Sequence, residues 1–197
     1  MAQTIVLVVG LGNPGKDYEH TRHNAGALFV EALARDAGQS LRPEKKYHGL
    51  YARIQWHGLD LHLLNPSTFM NRSGLAIKAL ADFFKIQPDQ ILVAHDELDL
   101  PPGTAKLKQG GGHGGHNGLR DTIAHLGSNN FFRLRLGIGH PGDSRQVTQY
   151  VLGKLGKRET SDLEALFIEC MRVLPDAASG QLPRAMNVLH TVRPDNG

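Results

Sequence analysis

The sequence predicts one α/β domain, a mixed and mostly parallel twisted sheet with helices on both faces. Three observations carry this. Short apolar runs, led by Ile5 to Val9 and Ile91 to Ala94, are bounded by turn residues. They alternate with stretches whose apolar residues recur at helical spacing. No repeat and no linker of interdomain length divides the 197 residues, of which 40% are apolar and 21% charged. The span 1–197 is therefore read as a single domain, with C-terminal helices from about residue 144.

The elements follow in order. Ile5 to Val9 is a buried strand, and a polar loop leads to a helix over roughly 24 to 37, where Leu28, Leu33, Ala34 and Ala37 share a face that stops at Gly38. "GLYARIQW" and "LDLHLLN" alternate about His57-Gly58, a hairpin signal, and Asn65-Pro66 is expected to break the second strand. "SGLAIKALADFFKI" is an amphipathic helix with Ser73 as its expected cap. "ILVA" is a buried strand running into an acidic loop, and "TAKLK" is a short strand with both lysines on one face. "QGGGHGGHNG" cannot be regular structure. A short helix follows Asn117, then the strand "FFRLRLGIG" with Arg133 and Arg135 on one face. The remainder is helical, with Leu163, Leu166, Phe167, Cys170 and Leu174 on a stripe.

Composition narrows the function classes. The single cysteine, Cys170, rules out an internal disulfide framework and points to a reducing, cytoplasmic compartment. The N-terminal apolar run lacks a basic lead and is too short for a membrane span, so no membrane association is expected. The net charge of +3 is unevenly spread. Residues 101 to 160 hold nine Lys/Arg against Asp121, Asp143 and Glu159, a net of +6, which leaves −3 for the rest. Such an end attracts a polyanion, although a solvated surface has the same composition.

Gly10, Gly12 and Gly15 spell G-x-G-x-x-G after the first strand, the place of a dinucleotide-binding turn. That reading needs a helix opening within the turn and an acidic residue ending a second strand. "KDYEHTRHNA" supplies neither, so these glycines are expected to let the strand end turn sharply. Polar residues recur instead where strands end: Asn13 after the first, Asn65 to Asn71 after the hairpin, Asp96 after "ILVA", and His116-Asn117 after the glycine loop. Segments leaving the carboxyl ends of parallel strands meet in one crevice, so these four can converge, though each alone is an ordinary turn residue.

No serine has a nucleophile-elbow setting, and Cys170 lies on an apolar stripe. His20/His23 and His113/His116 have metal-ligand spacing, but there is no H-E-x-x-H. A histidine base activating water, held by a carboxylate and flanked by amides, is the reading these exclusions favour. A dinucleotide-dependent oxidoreductase and a noncatalytic RNA-binding module stay as alternatives.

Five blocks then carry a resemblance: "VGLGNPG" with Tyr18 and "TRHNAG", "NPSTFMNRSG", "HDELDLPPG", "KLKQGGGHGGHNGLRD" and "RLRLGIGHPG". In this order, over about residues 6 to 153, the chain resembles the bacterial peptidyl-tRNA hydrolase family, with its C-terminal helices alike only in general character. The resemblance implies hydrolysis of the ester joining a peptide to the 3′ end of tRNA, in the cytoplasm, by a monomer needing no metal or other cofactor. It implies His23 as general base and Asp96 as the carboxylate orienting it. Asn13, Asn71 and Asn117 would hold the peptide and the reacting water, with Met70 as an apolar wall and His116 as a polar support. Tyr18 would lie near the 3′-terminal nucleotide, and Lys106, Lys108 and Arg135 would clamp the tRNA 5′-phosphate. His20 matches no fixed family position and is assigned no role.

Overall fold

Four of the apolar runs lie side by side at the centre of the molecule. In the computed structural model, which describes residues 3–190, strands β1 (Leu7–Gly10), β4 (Leu59–Pro66), β5 (Ile91–Glu97) and β7 (Phe132–Gly137) are parallel, in the order β4-β1-β5-β7. Antiparallel strands extend both sides: β3 (Gly49–Trp56) beside β4, β2 (Arg42–Glu44) beside β3, and β6 (Ala105–Gln109) beside β7. The sheet order is β2-β3-β4-β1-β5-β7-β6. His57 and Gly58 join β3 to β4 with positive φ at both, the twist-matched two-residue hairpin.

Two strand ends differ from the sequence expectation. β4 runs on through Asn65 to Pro66, still paired with β3. The pairing of β1 with β4 stops at Leu64, so the missing proline N–H leaves no central ladder bond unmade. Likewise β5 continues through Asp96 and Glu97, because β7 extends far enough to pair with both. The acidic residues begin in the strand rather than in the loop after it.

Helices cover both faces, as the periodicity requires. α1 (Ala25–Asp36), α5 (Lys157–Ala178) and α6 (Leu182–His190) enclose one core, where Phe29 meets Phe167 edge to face at 5.5 Å between centroids. α2 (Ser73–Phe84) and α3 (Asn117–Leu126) enclose the other around Leu7, Val9, Leu64, Ile77 and Leu80. Burying such side chains contributes about 1.5–3 kcal/mol each. Cys170 is fully enclosed, and burial raises its thiol pKa, so it is an inert core residue. Ser73 is not the cap of α2. It is the helix's first residue, and its buried hydroxyl donates back to the Met70 carbonyl at 2.7 Å.

The opening glycines make a close crossing rather than a phosphate cradle. A Cβ on Gly26 would sit 2.1 Å from the Ala94 carbonyl oxygen, and one on Gly10 would sit 2.4 Å from that of Gly26. α1 thus lies almost directly on β1 and β5. It opens only at Ala25, after a 3-10 turn over Arg22–Asn24, and its first turn closes on the glycine turn, where the Ala27 amide donates to the Leu11 carbonyl at 3.1 Å and Asn24 and Ala27 crowd Gly12. Of the described helices, none is long and apolar enough to cross a membrane.

Candidate active site

The carboxyl ends of β1, β4 and β5 and the start of α3 bring the predicted polar residues to one cleft of about 800 Å³. Asn13, His23, Met70, Asn71, Asp96, His116, Asn117, Lys108 and Arg135 all line it. Tyr18 and Lys106 do not. Tyr18 stands outside it against the exposed ring of Phe69, which is itself a lining residue, with centroids 6.4 Å apart. Lys106 is exposed on β6, opposite Arg135 in the ladder.

Asp96 is the centre of the site. Its side chain is 2% exposed, and its oxygens meet His23 Nδ1 at 2.9 and 3.0 Å and His116 Nε2 at 2.7 Å. Burial alone would raise the Asp96 pKa, but the charges and hydrogen bonds of His23 and His116 outweigh it and hold the carboxyl well below its usual range. An ionised carboxylate only accepts, so both imidazoles turn N–H groups toward it. The fold fixes the second of these independently. His116 caps α3, and its Nδ1 accepts from the Gly118 and Leu119 amides at 3.1 and 3.3 Å, which leaves the proton on Nε2.

His23 therefore donates from Nδ1 and keeps Nε2 as a lone-pair nitrogen in the cleft wall. Burial pulls its pKa down, while the charge and hydrogen bond of Asp96 push up more strongly, for a net rise above 6.5. Ligand atoms of His23, Asp96 and His116 also lie within 4.8 Å of one another, a spacing that can hold a metal. Here the imidazole edges facing the carboxylate carry protons, so an ion among them would first have to displace two hydrogen bonds. The donor set suits a proton relay better than a cation.

The amides are held with equal care. Asn13 and Asn24 clamp each other: the Asn13 amide N–H donates to Asn24 Oδ1 at 2.8 Å, and Asn24 Nδ2 donates to the Asn13 carbonyl at 2.9 Å. Asn13 Oδ1 accepts the Met70 amide at 2.7 Å. Asn13 thus keeps its Nδ2 donors for a ligand. Asn117 is exposed, with Oδ1 accepting from Arg120 at 3.2 Å, so it too offers donors. Asn71 is exposed beside it on the lining, and Met70 is buried.

The basic residues divide into two kinds. Arg133 is buried against the Phe131 ring, and its guanidinium donates to the carbonyls of Gly110 and Gly111. It anchors the glycine loop through these bonds, at the back of the cleft wall. Its pKa falls to about 10, from burial first and then from the Arg135 charge. Arg135 is half-buried and bonded through Nε to Glu97 at 2.8 Å. Lys108 lies across Gly111, where a Cβ would stand 2.7 Å from its Nζ. His190, at the end of α6, accepts the Leu107 amide on β6 at 3.1 Å, which docks the last described helix on the strand between the two lysines.

Sequence reasoning missed several of these residues. Asn24 gave a signal, an amide beside His23, that went unused. Glu97 stands next to Asp96 and gave none. His95 is fully buried, donates from Nδ1 to the Asp96 carbonyl at 2.8 Å and has no partner at Nε2 among the described residues. Burial first, then the charge of His116, lowers its pKa to about 4, which keeps it neutral.

Comparison with known proteins places this geometry in a family. The model of the Peptidyl-tRNA hydrolase family matches residues 7–196. A peptidyl-tRNA hydrolase of Marinobacter nauticus is 84% identical over 194 residues, covering 98% of this chain and 99% of its own. One from Chromohalobacter salexigens is 58% identical over 188 residues, covering 95% and 97%. The crystal structure of peptidyl-tRNA hydrolase from Acinetobacter baumannii superposes with a TM-score of 0.93 at 47% identity, covering 98% of each chain. With sequence over nearly its whole length and the course of the backbone in agreement, the chain belongs to the peptidyl-tRNA hydrolase family.

Proposed function

We propose that this protein hydrolyses the ester between a peptide and the 3′ end of tRNA, by water activated at His23 and oriented by way of Asp96. The observation that carries the reading is the His23–Asp96 contact at 2.9 Å, which leaves His23 Nε2 in the wall of a cleft lined with amides. Water bonded to Nε2 attacks the ester carbonyl and gives its proton to the imidazole, and Asp96 stabilises the cation that forms. The carbonyl oxygen gains the negative charge, and the Nδ2 donors of Asn13 and Asn117 are suited to meet it. On collapse the C–O bond to ribose breaks, and His23 returns its proton to the departing ribose oxygen. An ester oxygen leaves far more easily than an amide nitrogen, so attack by water is adequate and no acyl-enzyme is needed. A cytoplasmic monomer acting without a metal is part of the same proposal.

Lys106, Lys108 and Arg135 form the tRNA-directed part. A phosphate contact fixes register without reading sequence, which suits an enzyme serving many tRNAs. Arg135 spends one N–H on Glu97 and retains its terminal nitrogens for phosphate. The test is hydrolysis of N-acetyl-aminoacyl-tRNA by the pure protein in EDTA, followed as release of free tRNA. Lys106→Ala and Arg135→Ala are expected to raise KM several-fold on that substrate and to leave a short ester mimic unaffected. Equal losses on both substrates would remove the phosphate assignment while leaving the esterase intact.

A further inference from the structure

The chain next to His23 is strapped to the wall of the cleft. Arg22 sends its guanidinium away from the site to Glu159, at 2.8 Å from Nε and 2.9 Å from Nη2, a forked pair at the first turn of α5. Its Nη1 donates to the Tyr150 carbonyl at 3.0 Å, and its guanidinium carbon lies 4.2 Å from the Tyr150 ring centroid. The backbone joins in: the Arg22 amide donates to Gly153 at 3.1 Å, Leu155 donates to His20 at 2.8 Å, and Thr21 bridges Lys154. Gly153 leaves room for this guanidinium, since a Cβ there would stand 2.6 Å from Arg22 Nη1 and would push it aside. The Tyr150 hydroxyl reaches on to the Ile138 carbonyl at the end of β7.

The strapping segment is itself part of the site. Short helix α4 (Val147–Val151) and its neighbours give Ser144, Val147, Thr148, Val151 and Leu152 to the cleft lining. One stretch of about fifteen residues thus touches any occupant of the cleft on one side and holds the turn bearing His23 on the other. The Arg22–Glu159 pair is only 16% and 27% exposed, so it is weakly screened compared with a surface pair. The remaining titratable groups facing His23 are Asp96 from β5 and His116 from the glycine loop.

From this we infer that Arg22 is a positioning residue for the ester hydrolysis: it couples the α4 wall to the register of His23, so that an occupied cleft fixes the base against Asp96. The inference rests on the esterase reading above. It differs from a purely structural role because the turn it holds contains the base, and a displacement near 1 Å there is costly for the chemical step.

The test compares wild type, Arg22→Met, Arg22→Lys and Glu159→Gln on N-acetyl-aminoacyl-tRNA and on a short ester mimic, with Tm and the pH profile of kcat/KM recorded for each. Arg22→Met is expected to lower kcat on the order of 10- to 100-fold on both substrates. KM for the tRNA substrate should stay within about twofold, since the phosphate-facing residues lie elsewhere. The acid limb of the profile should move down as His23 drifts from Asp96. Arg22→Lys keeps the charge but not the fork and should recover part of kcat. Glu159→Gln, which leaves the Tyr150 contacts in place, guards against a misfolded first variant and should show a smaller loss of the same form. The coupling is overturned if these variants lose Tm while kcat of the folded enzyme and the acid limb stay at wild-type values. Wild type inactive on both esters would overturn the esterase reading instead.

Discussion

His23→Ala should fold normally, bind tRNA, and turn over peptidyl ester more slowly by a factor on the order of 10²–10⁴. The imidazole is mostly enclosed, so its removal leaves a small void and withdraws one of the donors to Asp96. His116 still donates to that carboxylate, which keeps the buried charge from standing alone. The amide donors of Asn13 and Asn117 remain, so part of the rate enhancement should survive the loss of the base. The check is single-turnover release of free tRNA in EDTA beside a binding measurement. A variant that keeps full activity would exclude His23 as the base, and one that loses binding equally would make it a substrate contact.

Asp96→Asn should cost activity by a comparable factor through a different route. The carboxylate accepts from both imidazoles, whereas an amide must present an N–H to one of them. His116 cannot yield, because its Nδ1 is committed to the α3 amides and its proton to Nε2. The amide oxygen is therefore claimed by His116, and its NH₂ faces His23 Nδ1. That drives the His23 proton to Nε2, the position from which base catalysis has to act. The same substitution removes the groups that raise the His23 pKa. In wild type, kcat/KM should rise with pH through a value above 6.5, as the cation loses its proton. In the variant, whatever activity is left should have its acid limb at lower pH. An unmoved limb would assign it to another group.

Stability should follow the two ions in opposite senses. The Asp96 pKa is depressed in the folded state, so its contribution is complete above about pH 4 and is lost only as pH falls through the folded value. The His23 pKa is raised, so its contribution is present below about 6.5 and disappears as pH rises through the folded value. The neutral base that catalysis requires is thus formed where the ion pair has stopped adding to stability.

The sheet and its helices were legible because period and punctuation are local properties. The strand ends were not: whether Pro66 closes β4 depends on where β1 stops, and whether Asp96 stands in strand or loop depends on the length of β7. The site divides in the same way. His23, Asp96 and the amides could be named from blocks of sequence and from their place after strand ends. Only the family resemblance separates Arg133 from Arg135, since both lie on one face of β7 two residues apart and pattern alone treats them alike. The glycine loop folds back over the first and offers it carbonyls, while Glu97 reaches the second, and neither event has a signature along the chain. The Asn13–Asn24 clamp and the Arg22 strap are likewise made by contacts between distant segments.

The close crossing of α1 over β5 has a bearing on how this site could be altered. Gly26 touches the Ala94 carbonyl three residues after His23 and two before Asp96, so the gap between base and carboxylate is gauged by bare backbone on backbone. Distances set in this way do not depend on which side chains fill the two cores. An engineer could exchange much of the apolar interior, volume for volume, and expect the pair to keep its spacing, while a single methyl group at Gly26 would act as a shim and open it. Among the described glycines, the tightest tolerance is the one that sets this pair.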